Sequence, residues 1–360
     1  MRLSMLGLCA GGLLAGHASA QVIDPVFAND YTITDLGLPP AVPLCLGGIT
    51  FLNGDNNTLL IGGMANFYMA SVFSLPVTRD SNGHINGFAS PAFFYAQAYG
   101  APGNGPDVGG IDAGLTYGPT DVLFYCTFED NKIGELKSTS YIPDRIIDLT
   151  ALGVAISTGG ITFVPPGMPA AGRLKITSWN TGLWYDAQIA PDGAGTYDVL
   201  NVSNVPGVNL GPLPESAIHL RAGSPQFTTD SLLVCEYQPG NLSVYDVDSN
   251  ADPIQATKRN FMTDVDEIEG SVFDPVTGDL ILTIFCDNAR ILVVHGFTLP
   301  VLCPADVNHS GAVNVDDLLA VINSWGPCAG CPADIAPAGG NGQVNVDDLL
   351  AVINGWGACP

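Results

Sequence analysis

Six oxygen-bearing residues near the end of the chain have the spacing of a calcium-binding loop. In an EF-hand type loop, hard oxygen ligands occupy positions 1, 3, 5, 7, 9 and 12, and a glycine at position 6 allows a sharp turn. Counting from Asp306 as position 1 gives every ligand position an oxygen donor and puts Gly311 at position 6. The predicted ligands are Asp306, Asn308, Ser310, Ala312 through its carbonyl, Asn314 and Asp317. The spacing therefore predicts a Ca²⁺ site.

A second segment repeats the first with a longer loop. The strings CPAD, VNVDDLLAVIN and WG occur in both, but the loop from Asp334 to Asp348 is three residues longer than the loop from Asp306 to Asp317. Asp334 can reach the site only if the extra residues bulge outward, which Pro337 and its neighbouring glycines allow. The predicted ligands are Asp334, Asn341, Gln343 through its carbonyl, Asn345 and Asp348. We predict a second, weaker Ca²⁺ site here.

Each loop leads into a segment with helical periodicity. In the first segment the apolar residues are predicted to form one face of the helix, because they recur at helical spacing. They are Leu318, Leu319, Val321, Ile322 and Trp325.

These two loop–helix halves resemble a type I dockerin of the variety that is bounded by cysteine and glycine. The resemblance covers Cys303 to Pro360. It implies a noncatalytic module that folds around calcium and docks its parent protein onto a cohesin-like receptor, on a scaffold or a cell surface. The recognition positions of that family correspond to Val315, Asp316, Ile322 and Asn323 in one half, and to Val346, Asp347, Ile353 and Asn354 in the other.

Four cysteines flank the two halves. A pseudo-twofold relation between the halves would place Cys359 beside Cys303 and leave Cys328 next to Cys331, so we predict these two disulfides. Pairing within each repeat, Cys303 with Cys328 and Cys331 with Cys359, is the alternative. An even number of mature cysteines favours disulfides in an exported chain. The other four, Cys45, Cys126, Cys235 and Cys286, have no predictable connectivity.

The chain before this module has few residues that could do chemistry. It contains no GxSxG elbow, no HExxH motif and no phosphate-binding loop, and its histidines are too scattered for a predicted zinc site. Asp112, Glu215 and Glu269 begin or adjoin successive repeat units. If each unit is a propeller blade, these acids face a central channel, where they could bind calcium or act as acid and base on a glycosidic bond. The alternative is that they only cap turns or bind backbone amides.

Aromatic residues in the same region could contribute a sugar-binding surface. The candidates are Trp179, Trp184 and Tyr185. Aromatic residues in strands are more often part of a core.

The elements that would position these residues are short strands. Between residues 21 and 300, β-like runs alternate with Gly and Pro turns, and a similar phrase begins at Gly47, Gly109, Gly159, Glu215 and Glu269, at intervals of 50 to 62 residues. This repetition indicates a mainly β chain with a five-bladed propeller, although six blades or a stacked sandwich also fit. The segment 31–36 is predicted to supply the missing outer strand of the last blade. Cys126, Cys235 and Cys286 are aligned at the ends of second strands.

The first twenty residues have the features of a signal peptide. Arg2 precedes an apolar run, and Ala18-Ser19-Ala20 forms a small-residue cleavage site. We therefore predict a signal peptide at 1–20, a propeller-like domain at 21–300 and a dockerin-like domain at 301–360, in a protein that is secreted and is extracellular or attached to a cell surface. No second apolar run is long enough to span a membrane. The net charge of −24 disfavours nucleic acid and anionic lipid as partners.

Two functions fit these observations. We favour a secreted binding or structural propeller, with carbohydrate as one conceivable ligand, attached to a cohesin-like or cell-surface receptor by its calcium-dependent module. The alternative is a secreted glycosidase or lactonase-like hydrolase that uses the channel carboxylates. The sequence does not decide whether the chain is an enzyme, and we favour the interpretation that it is not. A glycosidase would need two carboxylates within about 5–10 Å of each other in an open pocket.

Overall fold

Strands make up most of the fold. The computed structural model describes residues 21–99, 109–211, 213–298, 303–308, 312–328, 331–337 and 340–358. Antiparallel sheets of successive strands form a five-bladed β-propeller, so the prediction of five blades is confirmed. None of the helices in these residues is long and apolar enough to cross a membrane.

The strands follow the order of the chain, apart from two that precede blade 1. Those two are β1 (Val22–Ile23) and β2 (Thr32–Gly37). Blade 1 contains β3 (Ile49–Leu52), β4 (Asp55–Gly63), β5 (Ser71–Arg79), β6 (Ile85–Phe88) and β7 (Phe93–Gln97). Blade 2 contains β8 (Ile111–Tyr117), β9 (Leu123–Thr127), β10 (Lys132–Leu136) and β11 (Arg145–Asp148). Blade 3 contains β12 (Thr158–Phe163), β13 (Leu174–Ser178), β14 (Leu183–Pro191) and β15 (Tyr197–Asn209).

Blades 4 and 5 have the same pattern. Blade 4 contains β16 (Pro214–Leu220), β17 (Ser231–Glu236), β18 (Asn241–Asp246) and β19 (Arg259–Thr263). Blade 5 contains β20 (Ile268–Phe273), β21 (Leu280–Ile284) and β22 (Arg290–His295). Two short 3₁₀ helices, Pro119–Asp121 and Gln255–Thr257, lie in connections.

The N-terminal strands close the ring. Strand β2 pairs with β22 and becomes the outer strand of blade 5, which confirms the strand predicted at 31–36. Strand β1 pairs with β19 at the edge of blade 4. A Cys45–Cys286 disulfide joins the segment before blade 1 to blade 5, and the Leu46 amide donates to the Phe285 carbonyl at 2.9 Å. Joining the two ends of the propeller in this way leaves no long sheet edge between blades 1 and 5.

Glycine allows the innermost strands to approach one another at the channel. The pairing of β8, β12, β16 and β20 with their neighbours is interrupted by bulges at this level. A Cβ on Gly159 would overlap the carbonyl oxygen of Pro214 in the next blade, and one on Gly270 would lie 2.8 Å from the Gly47 carbonyl oxygen. Larger residues would therefore push the blades apart at the axis.

Two cysteines of the propeller remain unpaired. Cys126 and Cys235 are buried free thiols, so the expectation that the mature cysteines form disulfides is wrong for this pair. Both occupy the penultimate position of a second strand, where blades 3 and 5 have Thr177 and Thr283. Cys286 lies beyond the end of β21 instead, so its alignment with Cys126 and Cys235 was wrong. The repeated cysteine is a packing residue between blades.

The C-terminal module has two matching halves. Helices α1 (Val315–Asn323) and α2 (Val346–Asn354) follow short strands β23 (Ala312–Val313) and β25 (Gln343–Val344). The strand before each helix pairs with the strand after the other helix, β23 with β26 (Gly357–Ala358) and β25 with β24 (Gly326–Pro327). This reciprocal pairing is what a pseudo-twofold relation produces.

Helix α1 buries only part of its predicted apolar face. Val321 is fully buried and Leu318 packs against the small core of the module. Leu319, Ile322 and Trp325, the last of which follows the helix, are 46–54% exposed. The apolar face is therefore wider than the part of it that packs within the module.

A buried histidine gives the propeller a predictable sensitivity to acid. Burial lowers the pKa of His219 from 6.5 to about 4, so the native state keeps it neutral where the unfolded chain takes up a proton. The unfolding free energy should therefore fall as pH drops from 6.5 towards 4, by up to about 3 kcal/mol from this group. Urea unfolding at pH 7 and pH 4.5 would measure it. His219→Gln keeps a donor for the Ala251 carbonyl and should show a smaller pH dependence; an equal dependence would contradict the assignment.

Candidate functional site

Three acids from different blades meet at one end of the channel. Asp112 lies on β8, Glu215 on β16 and Glu269 on β20, each near the start of an innermost strand. One carboxylate oxygen from each lies within 4.8 Å of those of the other two. The three residues that the sequence singled out are thus brought together. They are 0–3% exposed, so they do not lie in the open pocket that the glycosidase hypothesis required.

Among the described residues, several oxygens in this cluster find no hydrogen-bond partner when the acids are treated as carboxylates. They are both carboxylate oxygens of Asp112, Oε2 of Glu215 and Oε1 of Glu269. The Asn66 side chain from blade 1 lies beside Asp112, and its Oδ1 is also without a hydrogen bond. Buried polar atoms are almost always satisfied in folded proteins, so such a concentration of acceptors indicates that protons or a cation occupy the cluster.

Burial raises the pKa of all three acids. It raises the pKa of Asp112 to about 8, and it raises those of Glu215 and Glu269 well above their ordinary value. The negative charge of Asp112 raises the pKa of Glu215 further. None of the ion pairs among the described residues involves these three acids. The cluster must therefore hold either protons or a cation at neutral pH.

A row of aromatic side chains lies at the same end of the channel. Because innermost and second strands are antiparallel, second strands end where innermost strands begin. The residue after the second strand is Phe128 in blade 2, Trp179 in blade 3, Tyr237 in blade 4 and Phe285 in blade 5. Neighbouring rings are 5.5, 6.5 and 6.1 Å apart between centroids. We call these four partly exposed residues the aromatic arc; blade 1 has Met64 at this position.

The aromatic arc is in contact with the acid cluster. The Trp179 side chain lies beside Glu215 and partly opposes the rise in its pKa. The Tyr237 hydroxyl donates to Glu267 at 3.1 Å, and burial, together with the charge of Glu267, raises the pKa of Tyr237. The arc thus offers apolar ring faces directly beside buried acids.

The other aromatic residues chosen from the sequence are not part of this site. Trp184 is fully buried and its Nε1 donates to Asp252 at 2.8 Å. Tyr185 is 4% exposed and its hydroxyl accepts from the Ala155 amide. Of the three candidates, only Trp179 lies at the channel. Phe128, Tyr237 and Phe285 were missed, although their common position after a second strand is a signal that a correct strand alignment would have revealed.

Further along the innermost strands the channel is narrow. A cavity of about 60 Å³ is lined by residues from all five blades, among them Ile49, Leu115, Ile161, Ala217 and Ser271. It has room for only a few water molecules. A ligand larger than that would have to approach the acids from the end that carries the aromatic arc.

The predicted ligand residues of the C-terminal module lie on the loops before the two helices. Asp317 is buried and accepts the amides of Asn308 and Asn314, at 3.1 and 2.8 Å. Asp348 is buried and accepts the amides of Ile335, Ala336 and Asn345, at 2.7–2.8 Å. Each acid also completes a capping box at its helix N-terminus. Ser310 lies outside the described residues.

The second loop is held by Asp334, whose carboxylate accepts the amides of Asn341 and Gly342. Cys328 and Cys331 form a disulfide, which rules out the alternative pairing within each repeat. Cys359 lies outside the described residues, so the predicted Cys303–Cys359 bond stays a prediction.

The residues that the dockerin resemblance assigns to partner binding are all exposed. They are Val315, Asp316, Ile322 and Asn323 in the first half, and Val346, Asp347, Ile353 and Asn354 in the second. Together with Leu319, Leu350 and the two tryptophans, they leave matching apolar stripes on the two helices.

Comparison with known proteins gives little beyond the fold. No family model and no curated protein matches the chain. Among solved structures, glutaminyl cyclase from Myxococcus xanthus is 12% identical, with a TM-score of 0.44 over 75% of this chain and 97% of its own. Virginiamycin B lyase from Staphylococcus aureus is 13% identical, with a TM-score of 0.37 over 75% and 100%. The PQQ-bound aldose sugar dehydrogenase from Streptomyces coelicolor is 14% identical, with a TM-score of 0.34 over 73% and 84%. At such low similarity these matches carry no information on activity.

Proposed function

We propose that the propeller is a secreted hydrolase of the lactonase type, and that its reaction centre is a Ca²⁺ ion held by the acid cluster. The observation that carries the proposal is the convergence of Asp112, Glu215 and Glu269, with their unsatisfied oxygens, beside the aromatic arc. The C-terminal module attaches this enzyme to a cohesin-like or cell-surface receptor.

The donor set supports a hard cation. Every unsatisfied atom of the cluster is a carboxylate or amide oxygen, and such oxygens are the ligands that Ca²⁺ takes in proteins. Ca²⁺ also accepts irregular geometry, whereas Mg²⁺ keeps several waters and is rarely held by an all-protein cage. The strongly negative chain raises the local concentration of divalent cations. A cation would replace the protons that burial otherwise forces onto the cluster.

The surroundings support a carbonyl substrate with a flat, partly apolar ring. A bound cation acts as a Lewis acid on a carbonyl oxygen. The aromatic arc provides partly exposed ring faces on which a sugar lactone would stack. Addition of water to the lactone carbonyl carbon, with cleavage of the ring C–O bond, would give a hydroxy acid. The acids lie side by side beneath the surface, an arrangement that suits glycosidic cleavage less well because two carboxylates must flank that bond.

An assay of the mature chain against two substrate classes tests the proposal. Sugar γ- and δ-lactones, followed by acid release, should be hydrolysed, and activity should be lost in EDTA and restored by Ca²⁺. Nitrophenyl glycosides serve as the comparison. Glycoside cleavage that persists in EDTA would support acid–base catalysis by the carboxyls instead. Cation and sugar binding without turnover would support a binding propeller.

The dockerin-type role of the C-terminal module gives a separate prediction. In a Glu215→Gln background, which removes the propeller site, calorimetry should show two calcium-binding events of unequal affinity. Asp306→Ala should remove the tighter event and Asp334→Ala the weaker one, because each removes a position 1 ligand. Asp316→Asn and Asp347→Asn are matched controls, since these exposed acids are not predicted ligands. If the Asp306 and Asp334 variants bind like their controls, the calcium assignment is wrong.

A further inference from the structure

A second group of side chains that could bind a metal ion lies away from the channel, at the seam between blades 1 and 5. His84 precedes β6 in blade 1, whereas Asp279 and His295 belong to blade 5. The Nδ1 atoms of His84 and His295 lie 2.6 and 3.0 Å from the same atom, Oδ2 of Asp279. The scattered histidines predict no zinc site, but closure of the ring brings two of them together.

The aspartate at the centre of this group is only partly satisfied. Asp279 is 1% exposed, and its Oδ1 has no hydrogen-bond partner in the part of the chain that the structure describes. A buried carboxylate oxygen without a partner is costly, so another ligand for it is missing from this group. The neighbouring Asp274 does not compete for a cation, because Arg79 pairs with both of its oxygens at 2.6 and 3.0 Å.

His295 is oriented as metal-binding histidines commonly are. Nε2 of His295 lies 2.9 Å from the Thr34 hydroxyl on β2, which fixes the ring with Nδ1 facing Asp279. Metal-bound histidines usually hydrogen-bond through their other nitrogen, and this contact sets the tautomer and the ring plane. The His84 and His295 rings lie edge to face, 5.1 Å apart between centroids. Their two nitrogens and one carboxylate oxygen all lie within 4.8 Å of one another.

We propose that His84, Asp279 and His295 bind one divalent transition-metal ion, with zinc as the best match. Two imidazole nitrogens with one carboxylate oxygen are a donor set that zinc accepts, at distances of about 2.0–2.2 Å. Seating the ion requires the nitrogens to move back from Oδ2 by a fraction of an ångström. Three protein ligands leave a fourth position for water, on the side where the His84 side chain is 36% exposed. Calcium is a poor match because it prefers oxygen donors.

Such an ion would cross-link blades 1 and 5, where the propeller closes. It bridges blade 1 to blade 5, and its ligand His295 contacts the N-terminal strand β2 through Thr34. An ion that binds only the closed ring stabilises it by RT ln(1 + [L]/Kd), where [L] is the concentration of the free ion. The inference is independent of the channel site and of the proposed hydrolysis.

Titration of the full mature chain with Co²⁺, in saturating Ca²⁺, tests the site. Co²⁺ reports a nitrogen–oxygen site by its visible absorption, and Zn²⁺ should displace it at one equivalent. His84→Ala and His295→Ala should each weaken binding by at least about 100-fold, and Thr34→Val by about 10-fold. His309→Ala, a histidine of the C-terminal module, is the matched control. Zn²⁺ should raise the Tm of the wild type but not that of the His84 or His295 variants.

Thermal unfolding without metal checks that each variant is folded before its binding is compared. Absence of one-equivalent binding in the wild type would overturn the proposal, because the two imidazoles would then serve only as hydrogen-bond donors to Asp279. Binding of equal strength in folded His84→Ala and His295→Ala variants would overturn it as well.

Discussion

Glu215→Gln is expected to abolish hydrolysis and cation binding at the channel, and at the same time to make the cation-free propeller more stable. The substitution keeps the shape of the side chain and removes the charge that burial disfavours. Loss of a direct ligand should weaken Ca²⁺ binding at this site by more than about 100-fold. The cation-free protein should gain about 1–2 kcal/mol, as expected where a residue is retained for function at a cost in stability.

The matched control is Glu129→Gln, the same substitution at an exposed position beside the aromatic arc. Urea unfolding in EDTA and calorimetry with Ca²⁺ give the two quantities for each variant. A Glu215→Gln protein that is less stable in EDTA and binds Ca²⁺ like the control would show that Glu215 has a structural role. In that case the acid cluster would not be a cation site.

Removal of the Cys45–Cys286 disulfide is expected to have the largest effect on stability. The bond closes a loop between residues 241 apart in sequence, which contains strands β3 to β21, that is blades 1 to 4 and the first two strands of blade 5. The chain-entropy relation gives a loss of about 5 kcal/mol for a loop of this length. Because a domain's total stability is typically about 5–15 kcal/mol, the double variant Cys45→Ser, Cys286→Ser should lose about a third or more of it.

Denaturant unfolding of the double variant beside Cys235→Ala measures this effect. The control removes a buried thiol that is not in a disulfide, so its loss reports packing alone. A double variant that loses no more stability than Cys235→Ala would mean that strand β2 and the blade contacts close the ring without help from the disulfide.

The blades could be predicted from the sequence because their innermost strands obey a strong packing constraint. Gly47, Gly159 and Gly270 lie where adjacent blades nearly touch, and the repeated glycines therefore mark the repeat. The same alignment placed Asp112, Glu215 and Glu269 at equivalent levels of the channel. Their convergence then followed from closing five units around one axis.

Other features could not be predicted because they depend on which residues meet when the ring closes. Cys45 and Cys286 are neighbours only in the closed ring, as are His84 and His295. The aromatic arc was missed because Cys286 was aligned with Cys126, which shifted the end of the second strand in blade 5. In helix α1, periodicity identified the apolar residues but could not tell buried Val321 from exposed Ile322.

The pairing of β2 with β22 has a consequence for the order in which the protein is made. A chain that emerges with its N-terminus first presents Thr32–Gly37 long before its partner Arg290–His295 has been synthesised. Until then blade 5 is incomplete, Cys45 lacks its native partner Cys286, and β2 has no strand to pair with. An interrupted chain therefore stays an open arc with exposed strand edges, a form that proteases and aggregation remove. Only a chain translated through His295 can therefore pair β2 with β22 and close the propeller.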